Sequence, residues 1–231
     1  MLRKFFIMVL LLFIIIAGSY LGFVSKWRVA TPQSLIDSVL PIKRVHIEKV
    51  IINSDKDNDG ILDLDDIVEG ARLEVANKTR YKDAYYVGGY PPDDEGVCTD
   101  VIWRAFKNAG YDLKAMMDAD IKANTKLYPR ITGAPDPHID FRRVPNHLVF
   151  FKRFGTELTN VIDASDIENL KQWQGGDIVI SMHPQHIGII SDKRNKRGVP
   201  LVIHNAYIPR EEDCLESWSD IIVGHFRFPK E

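Results

Sequence analysis

Cysteine is scarce in this sequence: Cys98 and Cys214 are the two thiols among 231 residues. Exported domains that depend on disulfides carry more cysteines at closer spacing, so both are read as free and the fold must rest on apolar burial. Internal repeats and low-complexity tracts are also missing, which argues against a repeat architecture. Positive charge is not in excess. The formal net charge is −2, and Arg3, Lys4, Lys26 and Arg28 give the first 28 residues +4, so the remainder carries −6. That is not the balance of a nucleic-acid-binding protein. With 45% hydrophobic and 27% charged residues, the chain can bury a core, and its length suits one principal domain with attachments.

Charge is also absent from Phe5 to Val24, a run of 20 residues. At about 1.5 Å per helical residue this spans roughly the 30 Å hydrocarbon core of a bilayer. The more apolar part, Phe5–Ala17, follows a basic start and precedes "AGS", where Ala17 and Ser19 suit a signal peptidase. The segment is therefore a retained anchor or a cleaved signal. Either fate exports the rest, to the outer side of the cell membrane or into the surroundings. The chain divides on this reading into an anchor or signal (1–28), a helical stalk with an acidic loop (29–76) and a main domain (77–231). "TPQSLIDSVL" reads as a short helix ending before Pro41, and "KRVHIEKVIIN" as a second amphipathic stretch.

The acidic loop is "DKDNDGILDLDD", residues 55–66. As an EF-hand loop, Asp55, Asp57 and Asp59 fill positions 1, 3 and 5. Gly60 makes the turn, Ile61 offers its carbonyl at 7, Asp63 takes position 9 and Asp66 position 12. A bound Ca2+ would offset the repulsion among these carboxylates, and aspartate at position 12 reaches the ion less easily than glutamate. One loop alone suits a structural ion better than a sensor. Leu64, Ile67, Val68, Ala71 and Val75 follow at helical spacing, so the loop is expected between two helices.

Beyond the Gly-, Pro- and Asp-rich "YYVGGYPPDDEG", the stretch "VCTDVIWRAFKNAG" places Val101, Ile102, Ala105, Phe106 and Ala109 on one helical face, with Gly110 as the stop. Cys98 then stands at a helix N-terminus, where the dipole and unpaired N–H groups lower a thiol pKa and can hold an oxyanion. Asp93, Asp94, Glu95 and Asp100 are expected to face water. From Gly176 onward the runs "GDIVISM", "HIGIISD", "PLVIHNAY" and "IIVGHFRF" read as four strands of an antiparallel sheet, so the fold class is α+β. Leu148–Phe154 is compatible with helix or strand. Of seven histidines, His186 opens a strand, with Gly188 leaving space for a helix end, and His204 lies mid-strand. This assigns Cys98 as nucleophile, His186 as base and His204 as the group that orients it, with Asn205 as the spare. Arg142 or Arg143, in "DFRRVPN", could fork a substrate carboxylate or tie down a Pro-rich loop. Cys214, flanked by acids, reads as structural or inert.

"GVCTDVIWRAF" followed by "GGDIVI", "HIGIIS" and "VIHN" resembles the NlpC-type cell-wall cysteine peptidases, a papain-like group. "GVCTDVIWRAFKNAGYDL", "HIDFRRVPNHLVFFKR" and "GHFRF" more closely resemble the bacterial domain-of-unknown-function family numbered 1287, over roughly Tyr81–Phe228. The resemblance implies a papain-like α+β fold and a thiol hydrolase acting on amide bonds of peptidoglycan peptides. Cys98, His186 and His204 match the catalytic positions, and Tyr86 an oxyanion-binding tyrosine. Two other readings compete: a non-catalytic calcium-stabilised surface module, and a lipid acylhydrolase or acyltransferase.

Overall fold

Short β-branched runs punctuated by glycine, proline and aspartate build the sheet on which the core packs. In this computed structural model, which describes residues 44–129, 131 and 133–230, they form strands β4 (Ile178–Met182), β5 (Gln185–Arg194), β6 (Pro200–Asn205) and β8 (Ile222–Arg227). Two strands not expected from the sequence, β3 (Thr156–Glu157) and β7 (Pro209–Glu212), extend the sheet at its edges. The order is β3-β8-β4-β5-β6-β7, with every neighbouring pair antiparallel. A separate two-residue parallel bridge joins β1 (Arg80–Tyr81) to β2 (Glu95–Gly96). The mixed α+β architecture with an antiparallel sheet is thus as expected.

Because strand side chains alternate, the sheet buries both faces. Ile178, Ile180, Ile187, Ile189, Ile203 and Phe226 pack into one cluster with the helices; Val179, Ile190 and Val202 pack on the other side with Leu170, Trp173, Cys214 and Leu215. The helices are α1 (Asp63–Asn77), α2 (Cys98–Asn108), α3 (Leu113–Ala123), α4 (Val144–Phe154) and the short α5 (Ile167–Gln172). In α2 the expected apolar stripe is buried, and Gly110 ends the turn with a φ of 74°, a conformation that disfavours side chains. Leu148–Phe154 is resolved as helix, with Pro145 in the first turn, where its missing N–H costs nothing.

The structure corrects the boundary at 76. Residues from Arg44 onward make one compact unit, and α1 packs its Ile67, Val68 and Ala71 into the same cluster as Ile102 and Phe106 of α2. Nor is the acidic loop entered by a helix. Residues 44–54 are irregular and extended, with Val45 and Ile47 turned inward at a period of two, and they are pinned by Val45 N to Lys196 O (3.1 Å) and Gln174 Nε2 to Glu48 O (3.1 Å). Among the described residues no helix is long and apolar enough to cross a membrane. Phe5–Val24 and the helix expected over 31–40 lie outside the described residues.

Candidate active site

Cys98 is the first residue of α2. Its side chain is buried and packs in the same cluster as Ile187 of β5, close enough that the N–H groups of Ile187, Thr99 and Cys98 itself act on the thiol. The sequence predicts a lowered thiol pKa at such an address. The structure reverses that: burial pushes the Cys98 thiol up to about 12, with the Asp100 charge adding to it, and the three N–H groups only partly oppose the rise. The resting thiol is therefore protonated.

The expectation that all four nearby acids face water is also corrected for two of them. Asp100 is fully buried because it is fully paired. It accepts Arg142 Nε (2.8 Å) and Nη2 (2.7 Å), Trp103 Nε1 (2.8 Å) and the backbone N–H of Val97 (2.7 Å). Glu95 is buried under Arg80, Lys82 and Tyr86. Arg142 accordingly does not fork a substrate. With its side chain 1% exposed, it clamps the N-terminus of α2 and donates its remaining arm to Ala84 O (2.7 Å). Arg143 stands 3.4 Å from Asp140 and is partly exposed. Tyr86 donates its hydroxyl to Glu95 (2.7 Å) and lies under the Arg142 guanidinium, so it is committed elsewhere. Tyr81 is the tyrosine whose ionisation is opposed by Cys98, after burial as the first cause, and it is partly exposed. It stands on β1 opposite Gly96, two residues before the thiol.

The histidines sort by their partners. His225 stacks on Trp173 and bonds Asp177 (3.0 Å), itself paired with Arg227, which is a structural role. His138 accepts from Gly88 N (2.9 Å). His147 is fully buried with Nε2 2.7 Å from Phe141 O, so that nitrogen carries the proton, and burial pushes the ring down to about 4. Its folded pKa lies below the ordinary 6.5, so the stability it allows is present above that pH and is lost as pH falls towards 4. We expect the wild type to lose about 3 kcal/mol more than His147→Gln over this window, on the order of 1.4 kcal/mol per pKa unit, in urea unfolding followed across pH.

His186 and His204 do meet. His186 Nε2 lies 2.8 Å from His204 Nδ1, and His204 Nε2 lies 2.9 Å from Glu212 Oε1. The tautomers that satisfy both contacts run in one direction. Glu212 accepts from His204 Nε2–H, His204 Nδ1 accepts from His186 Nε2–H, and His186 Nδ1 keeps its lone pair. Trp218 packs edge-on against both rings, and Cys214 Sγ is 3.8 Å from His204 Nε2, so Cys214 stands beside this relay and is not remote from it. Burial and the neighbouring His204 lower His186 to about 4, which makes it neutral at physiological pH. Gly188 serves a different neighbour from the one expected: a Cβ there would stand 2.7 Å from Val202 and 3.2 Å from His204, so its smallness lets β6 and the second imidazole approach, and not a helix end. Asn205 faces the other way and bonds Thr79 O (3.3 Å). Among the described residues no hydrogen bond joins Cys98 to His186. What the fold does is pack Cys98 with Ile187 on one face of β5, while the alternation of strand side chains turns His186 to the other face, beside Trp218 and His204.

The role of Glu212 is not legible in the sequence. Its strand is four residues long and carries Arg210, Glu211 and Glu212 in succession, a pattern that says surface. Only the β6–β7 pairing turns it towards His204.

Fold and site together define a mixed α+β protein in which a helix-start thiol lies against a strand that begins an imidazole, imidazole and carboxylate relay. The chain belongs to the family described as Domain of unknown function (DUF1287), whose model matches residues 68–228. It is similar to Uncharacterized protein YijF of Escherichia coli (strain K12), at 37% identity over 172 residues, which is 70% of this chain and 80% of that protein. No solved structure gives a significant match. The matched span holds Cys98, His186, His204 and Glu212 and leaves out the loop at 55–66.

Proposed function

We propose that the protein is a cysteine hydrolase of the NlpC-type, papain-like class that cleaves amide bonds in cell-wall peptides. In this reading it is exported and tethered by the apolar segment at 5–24, or released after cleavage of that segment. The observation that carries the reading is the directed relay from Glu212 through His204 to His186, which leaves a basic nitrogen on the strand that Cys98 packs against; the relay rings lie on the Trp218 and Cys214 face, and Cys98 on the Ile187 face. In this reading the start of β5 turns so that His186 Nδ1 reaches Cys98 directly or through one water, and takes its proton as sulfur attacks the amide carbonyl and forms the C–S bond. The N–H groups at the start of α2 hold the developing oxyanion. The proton then passes to the leaving amine, and water hydrolyses the thioester with His186 again as base. Because both groups are neutral at rest, the chemistry is general-base catalysis and not a preformed thiolate–imidazolium pair. The substrate class comes from the resemblance of the motifs alone.

One observation favours a non-catalytic surface module: the thiol is 6% exposed and strongly disfavoured as thiolate. Incubating the full-length protein with purified peptidoglycan fragments, beside Cys98→Ala, and reading products by mass separates the two. The hydrolase yields fragments split at an amide, gaining one water, that are missing with Cys98→Ala. Identical product spectra from both proteins remove the mechanism.

A further inference from the structure

We propose that residues 55–66 bind one calcium ion through the carboxylates of Asp55, Asp57, Asp59 and Asp66, and that this ion braces the C-terminal end of the helix carrying Cys98. Oxygens of Asp55, Asp57 and Asp59 lie within 4.8 Å of one another, the span that an ion with oxygen ligands at about 2.4 Å bridges. The loop is already wound for such a site: Gly60 N donates to Asp55 (3.0 Å), Ile61 N donates to Asp59 (2.8 Å), and Asn58 and Gly60 take positive φ.

A cluster of exposed acids alone would carry nothing, since solvated acids are common. Asp66 is the second observation. It is 3% exposed, and its Oδ2 is buried without a hydrogen-bond partner. An unpaired buried carboxylate oxygen is costly, and natural structures leave few of them unexplained. It lies just outside the cluster formed by Asp55, Asp57 and Asp59, at the opposite end of the same loop, and its burial is compounded by the charges of those three. A cation held by the first three, with Asp66 closing on it as the last residue of the loop, would satisfy the orphan oxygen and reverse the repulsion.

Asp63, expected as a further ligand at position 9, has another task. Its carboxylate accepts from Ser54 Oγ (2.5 Å), Lys56 N (2.8 Å) and Tyr111 OH (2.5 Å), closing the loop on itself and on the segment after α2. Two more contacts reach the same place. Asn108 Nδ2 donates to Asp66 O (3.0 Å), and a Cβ on Gly110 would stand 2.8 Å from Asp57 Cβ. The loop is therefore fastened to the end of α2 at Asn108, Gly110 and Tyr111. The stalk-to-domain junction imagined from sequence is replaced by a brace within one body, at the far end of the catalytic helix from Cys98.

The test uses the full-length chain, stripped of metal by a chelator and titrated with CaCl2 by calorimetry. We expect one site per chain with a Kd of about 10⁻⁴ to 10⁻³ M, the range of extracellular modules. The Asp55→Asn/Asp59→Asn variant should lose at least about tenfold in affinity on removing two charged ligands, with Asp65→Asn, which pairs with Lys49 outside the loop, unchanged. Calcium should slow hydrogen exchange at the amides of Ala109, Gly110 and Tyr111, the last of which bonds Phe106 O (2.9 Å). Absence of saturable binding up to about 10 mM, well above that range, would overturn the site. So would equal affinity in the double variant, or equal binding of Mg2+. Binding with no change in exchange at 109–111 would overturn the brace. These readouts owe nothing to catalysis, so they stand apart from the fate of the hydrolase reading.

Discussion

Arg142→Met destabilises the fold by about 3–5 kcal/mol in chemical denaturation, the range for breaking a buried ion pair by removing one partner. The size follows from what remains. Asp100 and Arg142 have side chains 0% and 1% exposed and meet through two parallel hydrogen bonds. Without the guanidinium, Asp100 keeps the N–H of Val97 and the indole of Trp103 but holds an uncompensated charge in the core, and Ala84 O loses its donor. Arg142→Lys supplies one point charge in place of the fork and should fall between the two. Removing the charge as well, in Asp100→Asn/Arg142→Met, should recover part of the loss, so the double variant is less damaged than the sum of the singles. A loss under about 1 kcal/mol for Arg142→Met would show that water or a shifted side chain replaces the pair and that the clamp on α2 is not needed.

That pair also marks the limit of what the primary structure reveals. The α2 stripe of Val101, Ile102, Ala105 and Phe106, the stop at Gly110 and the four β-branched runs after Gly176 are local patterns, and period alone makes them legible. Arg142 and Asp100 are separated by 42 positions, and nothing in "DFRRVPN" distinguishes an arginine aimed at a ligand from one aimed at a carboxylate. The same holds for Glu212, whose role depends on the β6–β7 register, and for Tyr86, whose hydroxyl Glu95 captures. A helix start at Cys98 could be read from sequence; its burial could not, because the covering surface is β5. Hence the structure reverses the sign of the thiol shift while keeping the helix-start address. Residues 44–54 show the converse error. Their mixed apolar pattern is compatible with a helical face, but contacts to Lys196 and Gln174 hold them extended.

If His186 is the base, His186→Ala lowers hydrolysis of the cell-wall substrate by about 10² to 10⁴-fold, the usual worth of a positioned general base. The pH profile carries the more specific claim. The working imidazole must be neutral, and burial with His204 beside it lowers its pKa to about 4. In kcat/KM the wild type should therefore keep its activity as pH falls through the ordinary histidine range and lose it near 4. Glu212 opposes that lowering, since its charge favours the protonated ring. Glu212→Gln should then move the acid limb to still lower pH while depressing the plateau, because a less basic His186 takes the thiol proton less readily. A merely structural Glu212 would change the plateau and leave the limb where it stands. An acid limb near 6.5 in the wild type, or a Glu212→Gln profile that overlays it, would break the link between the relay and the thiol. The alkaline side is equally informative: with the thiol raised to about 12, the rate should not track thiolate formation near 8.5, the ordinary value for cysteine.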